Sequence, residues 1–392
     1  MKRNLAVGLV VRTGSRAIGS LLQAVFLLLL ARTYGAEQFG VFAIVLAAGY
    51  IASAVSSLGT SARVLRLSAE EKPNELAASY AWLRLLGAAI SFLTCLVVGQ
   101  GNFSIALVAA AFVASDQIVD YAQAYFAGLS RQSVSALIVI IHRALPLLAL
   151  VLALTTDTKA DAWILVAFAM SGAGAIVVSI FPAARPLPLF SVLRSSIGYW
   201  LSGLVPSLNQ LQVPLLGALS GAITAGGYAI ALRLMNPLTI FVTAMQTVFV
   251  PELARRAGQP GFNSLFRGFI WIAGAYAVAL SAFSPVIADA IIYFLGQDYR
   301  GARSLLIAMI VSAGLSGVAQ AFQSKLVAIG APNGIAWVIG ISNLFGLGLL
   351  ALVVGTLGES WLWVCPIVIQ GLTAVGLLLS ARRSGTRMGT ID

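Results

Sequence analysis

Leu21-Leu-Gln-Ala-Val-Phe-Leu-Leu-Leu-Leu-Ala31 decides the fold class. Gln23 is its one polar side chain, and nothing in the run alternates. Ser104-Ile-Ala-Leu-Val-Ala-Ala-Ala-Phe-Val-Ala-Ser115 reads the same way. A barrel strand alternates apolar and polar residues over about ten positions. A continuous apolar run of this kind is a piece of membrane helix. The rest of the 392-residue chain agrees: 59% of residues are hydrophobic and 9% charged, and the mean hydropathy is +0.95. A soluble domain carries roughly 25% charged residues. Lipid is the solvent that suits so few charges, and lipid requires every backbone N–H and C=O to be paired internally. The expectation is an all-α polytopic membrane protein of about twelve transmembrane helices.

Working outward from these runs, spans are expected near 5–33, 39–59, 78–98, 103–127, 133–154, 162–182, 197–220, 223–249, 266–295, 303–329, 334–356 and 361–381. The N-terminus, with Lys2 and Arg3 before an apolar run, looks superficially like a signal peptide. Arg12 and Arg16 interrupt that run, so it reads as a retained first helix. The formal charge of +11 sits beside apolar spans, which is a topology signal and not a nucleic-acid footprint. One set of loops holds Lys2, Arg3, Arg63, Arg66, Lys72, Arg131, Arg185, Arg194, Arg255, Arg256, Arg267, Arg382, Arg383 and Arg387, with Lys325 nearby. The other holds Arg32, Lys159, Arg300 and Arg303. That bias places the first set, and both termini, in the cytoplasm. Cys95 and Cys365 lie inside apolar runs and read as small apolar residues, with no metal site implied.

A break rich in proline, Pro182–Ser196, follows the sixth span. Gly35-Ala-Glu-Gln-Phe-Gly-Val-Phe-Ala-Ile-Val-Leu46 aligns with Gly221-Ala-Ile-Thr-Ala-Gly-Gly-Tyr-Ala-Ile-Ala-Leu232 at a spacing of 186. The same spacing puts Gln23 on Asn209. Six spans is an even number, so both halves enter from the same side as parallel repeats. The expected organisation is an N-terminal six-helix bundle (1–183), a cytoplasmic linker (184–196) and a C-terminal six-helix bundle (197–392).

The segment Leu29-Leu-Ala-Arg-Thr-Tyr-Gly-Ala-Glu-Gln-Phe-Gly-Val-Phe42 resembles the first-to-second-helix segment of Wzx-type polysaccharide flippases. These belong to the multidrug/oligosaccharidyl-lipid/polysaccharide exporter superfamily. Gly128-Leu-Ser-Arg-Gln132 and Gly330-Ala-Pro-Asn333 fit the same pattern. The resemblance implies two six-helix bundles around a central cavity, and alternating access.

Charges inside spans carry the chemistry. A mid-bilayer Arg or Asp costs about 2.5–3.5 kcal/mol on insertion scales, so such residues face protein or water and find partners. Arg12 and Arg16 share one face of the first helix, and Asp116 and Asp120 one face of the fourth. His142 and Arg143 lie in mid-span on the fifth. Matching depths gives expected pairs Arg16–Asp120 and Asp116–Arg143, or one shared network. Arg12, with no acid at its depth, is the expected phosphate contact, since guanidinium matches diphosphate oxygens in bidentate fashion. Snorkelling to the interface is its alternative reading. Arg16 and Arg143 are further expected substrate contacts. Asp116, Asp120 and His142 serve coupling or ion pairing. Gln23, Asn209 and Gln212 offer amides suited to sugar hydroxyls. Arg233 is expected to reach Asp289. Arg84 and Lys325 read as snorkelling cations at cytoplasmic ends.

The expected function is the flipping or export of a prenyl-diphosphate-linked oligosaccharide, for O-antigen (lipopolysaccharide), capsule or exopolysaccharide synthesis. No enzyme signature appears, and there is no Walker A loop. A cation-coupled drug exporter of the same superfamily is one alternative, and a membrane glycan transferase or ligase is another. No cofactor is expected, and proton or sodium coupling stays open. The expected partners are the lipid-linked oligosaccharide, membrane lipids, and the polymerase and glycosyltransferases of the same pathway, with no nucleic acid.

Overall fold

The computed structural model describes residues 2–60, 73–129, 131–179, 200, 204, 207–329 and 332–388. Among these residues the regular structure is helical throughout, with no strand.

Helix α1 (Lys2–Ser56) is 55 residues long. At 1.5 Å per residue that is about 80 Å, more than twice a bilayer core. The length is resolved at Gly35, whose φ of 72° and ψ of 173° interrupt the helix. That region of backbone space is essentially open to glycine alone. The one continuous element is therefore two spans joined by a single-residue elbow. Helices α2 (Pro73–Val98), α3 (Phe103–Gly128), α4 (Gln132–Thr155) and α5 (Ala160–Ser179) follow. Asn102 caps α3 by accepting a hydrogen bond from the Ile105 amide, the usual way of satisfying an orphaned first-turn donor. A 3-10 turn (Leu208–Leu211) and α6 (Gln212–Ser220) lead to a second elbow, Gly221, at φ 84° and ψ 177°. Then come α7 (Ala222–Arg255), α8 (Phe262–Leu295), a 3-10 turn (Gln297–Ala302), α9 (Arg303–Ala328), α10 (Pro332–Leu357), a 3-10 turn (Glu359–Trp361) and α11 (Val364–Met388).

Ten helical stretches are long and apolar enough to cross a membrane, and the first of them, Gly14–Ser56, contains the Gly35 elbow. The seventh expected span, 197–220, lies partly outside the described residues. Side chains on the outside of the helices are apolar where a soluble protein would be polar. On α8, Trp271, Val278, Phe283 and Val286 are all exposed. In water such a face would be a large uncovered patch, whereas hydrocarbon solvates it. The chain is a multi-pass α-helical membrane protein.

The chain divides into two compact units, Met1–Gly217 and Ala218–Asp392. The 3-10 turn at Leu208–Leu211 packs on α1 and so belongs to the first unit. The expected linker, 184–196, lies outside the described residues. In the first unit α3 is central, touching α1, α2, α4 and α5. In the second, α9 holds the same place, touching α7, α8, α10 and α11.

The two units repeat one plan. The elbows Gly35 and Gly221 share a backbone conformation 186 residues apart. From α3 onward the register is 200. Ile105, Ala106, Val108, Ala109, Ala110, Phe112 and Val113 are buried on α3. Leu305, Leu306, Ala308, Met309, Ile310, Ser312 and Ala313 are buried on α9 at the corresponding positions. The spacing grows because α7 and α8 are longer than the second arm of α1 and α2, which outweighs a shorter connection between them.

Candidate functional site

The polar groups of the first unit gather where α3 and α4 run side by side. Asp116 on α3 and Arg143 on α4 lie nearly equidistant from the turn at 129–131, so the hairpin brings them level. Arg143 Nη2 donates to Asp116 Oδ1 at 2.5 Å. The Tyr50 hydroxyl, from α1, donates to Asp116 Oδ2 at 2.8 Å. His142 Nε2 stands 3.4 Å from Oδ1 but outside hydrogen-bond alignment. Its other nitrogen, Nδ1, is 2.9 Å from Ser171 Oγ on α5. Three rings wall the site. Phe112 and Phe168 meet edge to face at 4.8 Å between centroids, with Phe26 6.2 Å from Phe112. The Arg143 guanidinium lies 5.8 Å from the centroid of the Phe112 ring, where the ring quadrupole favours a cation. Gly19 of α1 makes room for α4, because a Cβ there would meet Val139 at 3.0 Å and Arg143 at 3.6 Å.

The arrangement is only partly closed. Both Asp116 oxygens have donors, which is what a buried carboxylate requires. Arg143 Nη1 and His142 Nε2, however, are buried atoms with no hydrogen-bond partner. A buried donor left unmade costs about 1–3 kcal/mol, so the cluster retains capacity for a ligand or a proton.

The second charge cluster corrects an expected pair. Asp120 is bound by Arg84 of α2, at 2.5 Å, and no ion pair joins it to Arg16. The reason is hairpin register. Gln117 Nε2 donates to Gly87 O at 3.3 Å and to Ser91 Oγ at 2.6 Å, which sets α2 level with α3. One turn along from each lie Arg84 and Asp120. Arg84 does not snorkel: its side chain is 7% exposed. Arg16 is exposed. Arg12 is helical, but its side chain lies outside the described residues. Gln23 is half-buried on α1. Asn209 and Gln212 meet one another, Nε2 to Oδ1 at 3.4 Å, and Gln212 is buried. Asp289 is held by Arg303, at 2.6 and 2.9 Å, and not by Arg233. Lys325 lies over the Phe266 ring at 4.9 Å. Among the described residues, no three His, Cys, Asp or Glu side chains converge as for a metal.

Sequence reasoning missed Tyr50 and Ser171, the fourth and fifth members of the Asp116 cluster. It also missed what stands opposite them in the repeat. At the spacing of 200, Asp116, Asp120, His142 and Arg143 correspond to Ser316, Gln320, Ser342 and Asn343. Polarity is kept at all four positions and charge at none. Gln320 Nε2 donates to Ser316 Oγ at 3.3 Å, while Ser342 and Asn343 are buried.

Each unit also ties its elbow to an acidic residue. Asp161, in the first turn of α5, accepts from Tyr34 at 2.7 Å and from Ser104. Glu359 accepts from Thr224 at 2.5 Å. Within the first unit these contacts bring the elbow together with the α2–α3 and α4–α5 turns, and within the second they bring the elbow together with the α10–α11 turn.

Residues 5–256 match the model of a family described as polysaccharide biosynthesis protein. No curated protein matches the sequence. Solved structures share the fold. A multidrug resistance MATE transporter of the MOP superfamily, in an inward-facing conformation, superposes with a TM-score of 0.72 at 16% identity, over 95% of this chain and 94% of that one. A MOP superfamily transporter from Pyrococcus furiosus, whose title reports a binding pocket of reverse polarity, gives 0.64 at 16% identity, over 97% and 95%. A Vibrio cholerae MATE transporter in a bent form gives 0.60 at 16% identity, over 98% of each chain.

Proposed function

This chain belongs to the polysaccharide biosynthesis protein family, and on that premise we propose that it moves a prenyl-diphosphate-linked oligosaccharide across the bacterial cytoplasmic membrane by alternating access. Such a substrate keeps its tail in lipid while an anionic diphosphate and a glycan cross. The observation that carries the reading is the Arg143 side chain, partly buried within a bilayer span, with its Nη1 buried and unpartnered. Guanidinium binds diphosphate oxygens as a planar fork. Arg16 and Arg12 are further phosphate contacts in this reading, and Gln23, Asn209 and Gln212 offer amides to the glycan. Asp116, Asp120 and His142 hold or couple the cations. Both termini lie in the cytoplasm, and the glycosyltransferases and polymerase of the glycan's pathway act before and after the transporter. O-antigen, capsule and exopolysaccharide units all have the required chemistry.

A second reading, export of small cationic drugs, draws on the fold shared with multidrug transporters. One assay separates the two. Liposomes holding the purified chain are given a fluorescent diphosphate-linked glycolipid or a cationic dye. Glycolipid should cross and become accessible to an added lectin, and Arg143→Ala should stop it. Dye transport without glycolipid movement would replace the first reading with the second.

A further inference from the structure

His142 is 1% exposed, yet one of its ring nitrogens is left unbonded. Its tautomer follows from its neighbour. The Ser171 hydroxyl donates its single hydrogen to Phe168 O, at 3.0 Å. It can therefore only accept from His142, which puts a proton on Nδ1. In the neutral ring Nε2 then carries a lone pair. That lone pair faces Asp116 Oδ1 across 3.4 Å, two acceptors opposed with no hydrogen between them. A proton on Nε2 turns the opposition into an N–H···O bond.

The same Oδ1 is held by Arg143 Nη2, so His142 and Arg143 compete for one oxygen. With His142 neutral, Asp116 and Arg143 cancel and the trio carries no net charge. With His142 protonated the trio carries one positive charge, and Asp116 has a second cationic partner. Arg143, whose Nη1 is already unpartnered, is then available to an anion. In a low-dielectric site that unit of charge decides whether an anion is held. Among the described residues, these groups face the trio. The group facing the trio from α1 is Tyr50, bonded to Oδ2. From α3 it is Asp116 itself, with Asp120 one turn away on Arg84. From α5 it is the uncharged Ser171. Arg16, on α1, is exposed and makes no ion pair with either aspartate.

We propose that His142 Nε2 is a proton-binding site linked to anion binding at Arg143, so that a proton is taken up with each diphosphate bound. The step is simple in balance: a solvent proton joins the Nε2 lone pair, no covalent bond breaks, and the ring becomes imidazolium. Ser171 is a positioning residue, fixing which nitrogen receives that proton. The inference rests on the anionic-head reading above. It adds that substrate and proton bind together, each raising the affinity of the other by the same factor.

The test uses the full chain in lipid nanodiscs. The probe is symmetric dimethyl diphosphate, with one methyl on each phosphorus, which stays doubly ionised across the range studied. Calorimetric titration in two buffers of different ionisation enthalpy, between about pH 6 and about pH 8, counts protons directly. Wild type should take up about one proton per ligand where His142 is neutral in the free protein, and its affinity should fall about tenfold per pH unit there. His142→Gln should bind weakly, with no uptake and a flat pH profile. Ser171→Ala, which removes the acceptor for Nδ1–H, should move the profile to lower pH while keeping the proton count. Wild-type binding without proton uptake, or undiminished uptake in His142→Gln, overturns the linkage and leaves the anionic-head reading standing. No wild-type binding at any pH overturns both. The wild-type proton count is decisive even if a variant fails to fold.

Discussion

Gly35 and Gly221 hold backbone conformations, φ 72° and 84° with ψ near 180°, that a Cβ makes strained. Nothing lies within 4 Å of a Cβ placed on Gly221, so its cost on substitution is purely conformational. Gly35→Ala and Gly221→Ala should each destabilise by about 1–3 kcal/mol, read as a lowered thermal midpoint in nanodiscs. Gly174 is a fair control. It lies inside α5 with normal helical φ and open space around it. Gly174→Ala should leave stability unchanged or raise it by up to about 1 kcal/mol. Equal losses at all three positions would contradict the strain argument. At this scale the repeat was already legible, because an elbow of this conformation needs glycine and the glycine recurs in sequence. The Asp116–Arg143 pair was legible from depth alone. Arg84 was not. Counting from the end of a span places a residue along the membrane normal, but says nothing of which neighbour it faces. The deciding signal, the level of Gln117 with Gly87 and Ser91, lies in the α2–α3 hairpin register.

Between elements, the first unit depends on close approach of backbones. A Cβ on Gly49 would sit 2.4 Å from Cys95 Sγ and 3.0 Å from Val113, so α1 meets α2 and α3 through a missing side chain. Gly49→Ala should cost about 1–3 kcal/mol by overpacking. Adding Cys95→Ala removes the nearest atom and should restore most of the loss, a coupling that a double-mutant cycle measures. Additive losses would show that the contact with Cys95 is not what fixes the approach. Helix existence was legible throughout, because continuous apolar runs in so charge-poor a chain leave no other element. Helix ends were less so. Spans expected near 223–249 and 266–295 are longer in the structure, as α7 and α8. The extra turns of α7 carry interfacial residues such as Glu252 and Arg255, which a window tuned to hydrocarbon leaves out. Arg303 was read as a loop residue for the same reason, and its bond to Asp289 went unseen.

Over the whole molecule, one plan is used twice with different chemistry. The first unit puts Asp116, Asp120, His142 and Arg143 where the second puts Ser316, Gln320, Ser342 and Asn343. If the first unit handles the anionic head, removing a charge there must cost more than removing its neutral counterpart. Charge-assisted hydrogen bonds contribute about 1.5–3 kcal/mol and neutral ones about 0.5–1.5 kcal/mol. Arg143→Ala should therefore lower glycolipid translocation by about ten- to a hundredfold, and Asn343→Ala by less than about tenfold. Equal effects in the liposome assay would remove the division of labour. The elbows carry a last consequence. At the elbow face of the first unit the chain passes from the first span to the second through one residue, and the turns at 99–102 and 156–159 have four residues each. That face leaves almost nothing for a protease to cut or an antibody to grip, and a tag inserted at Gly35 has no slack to absorb it.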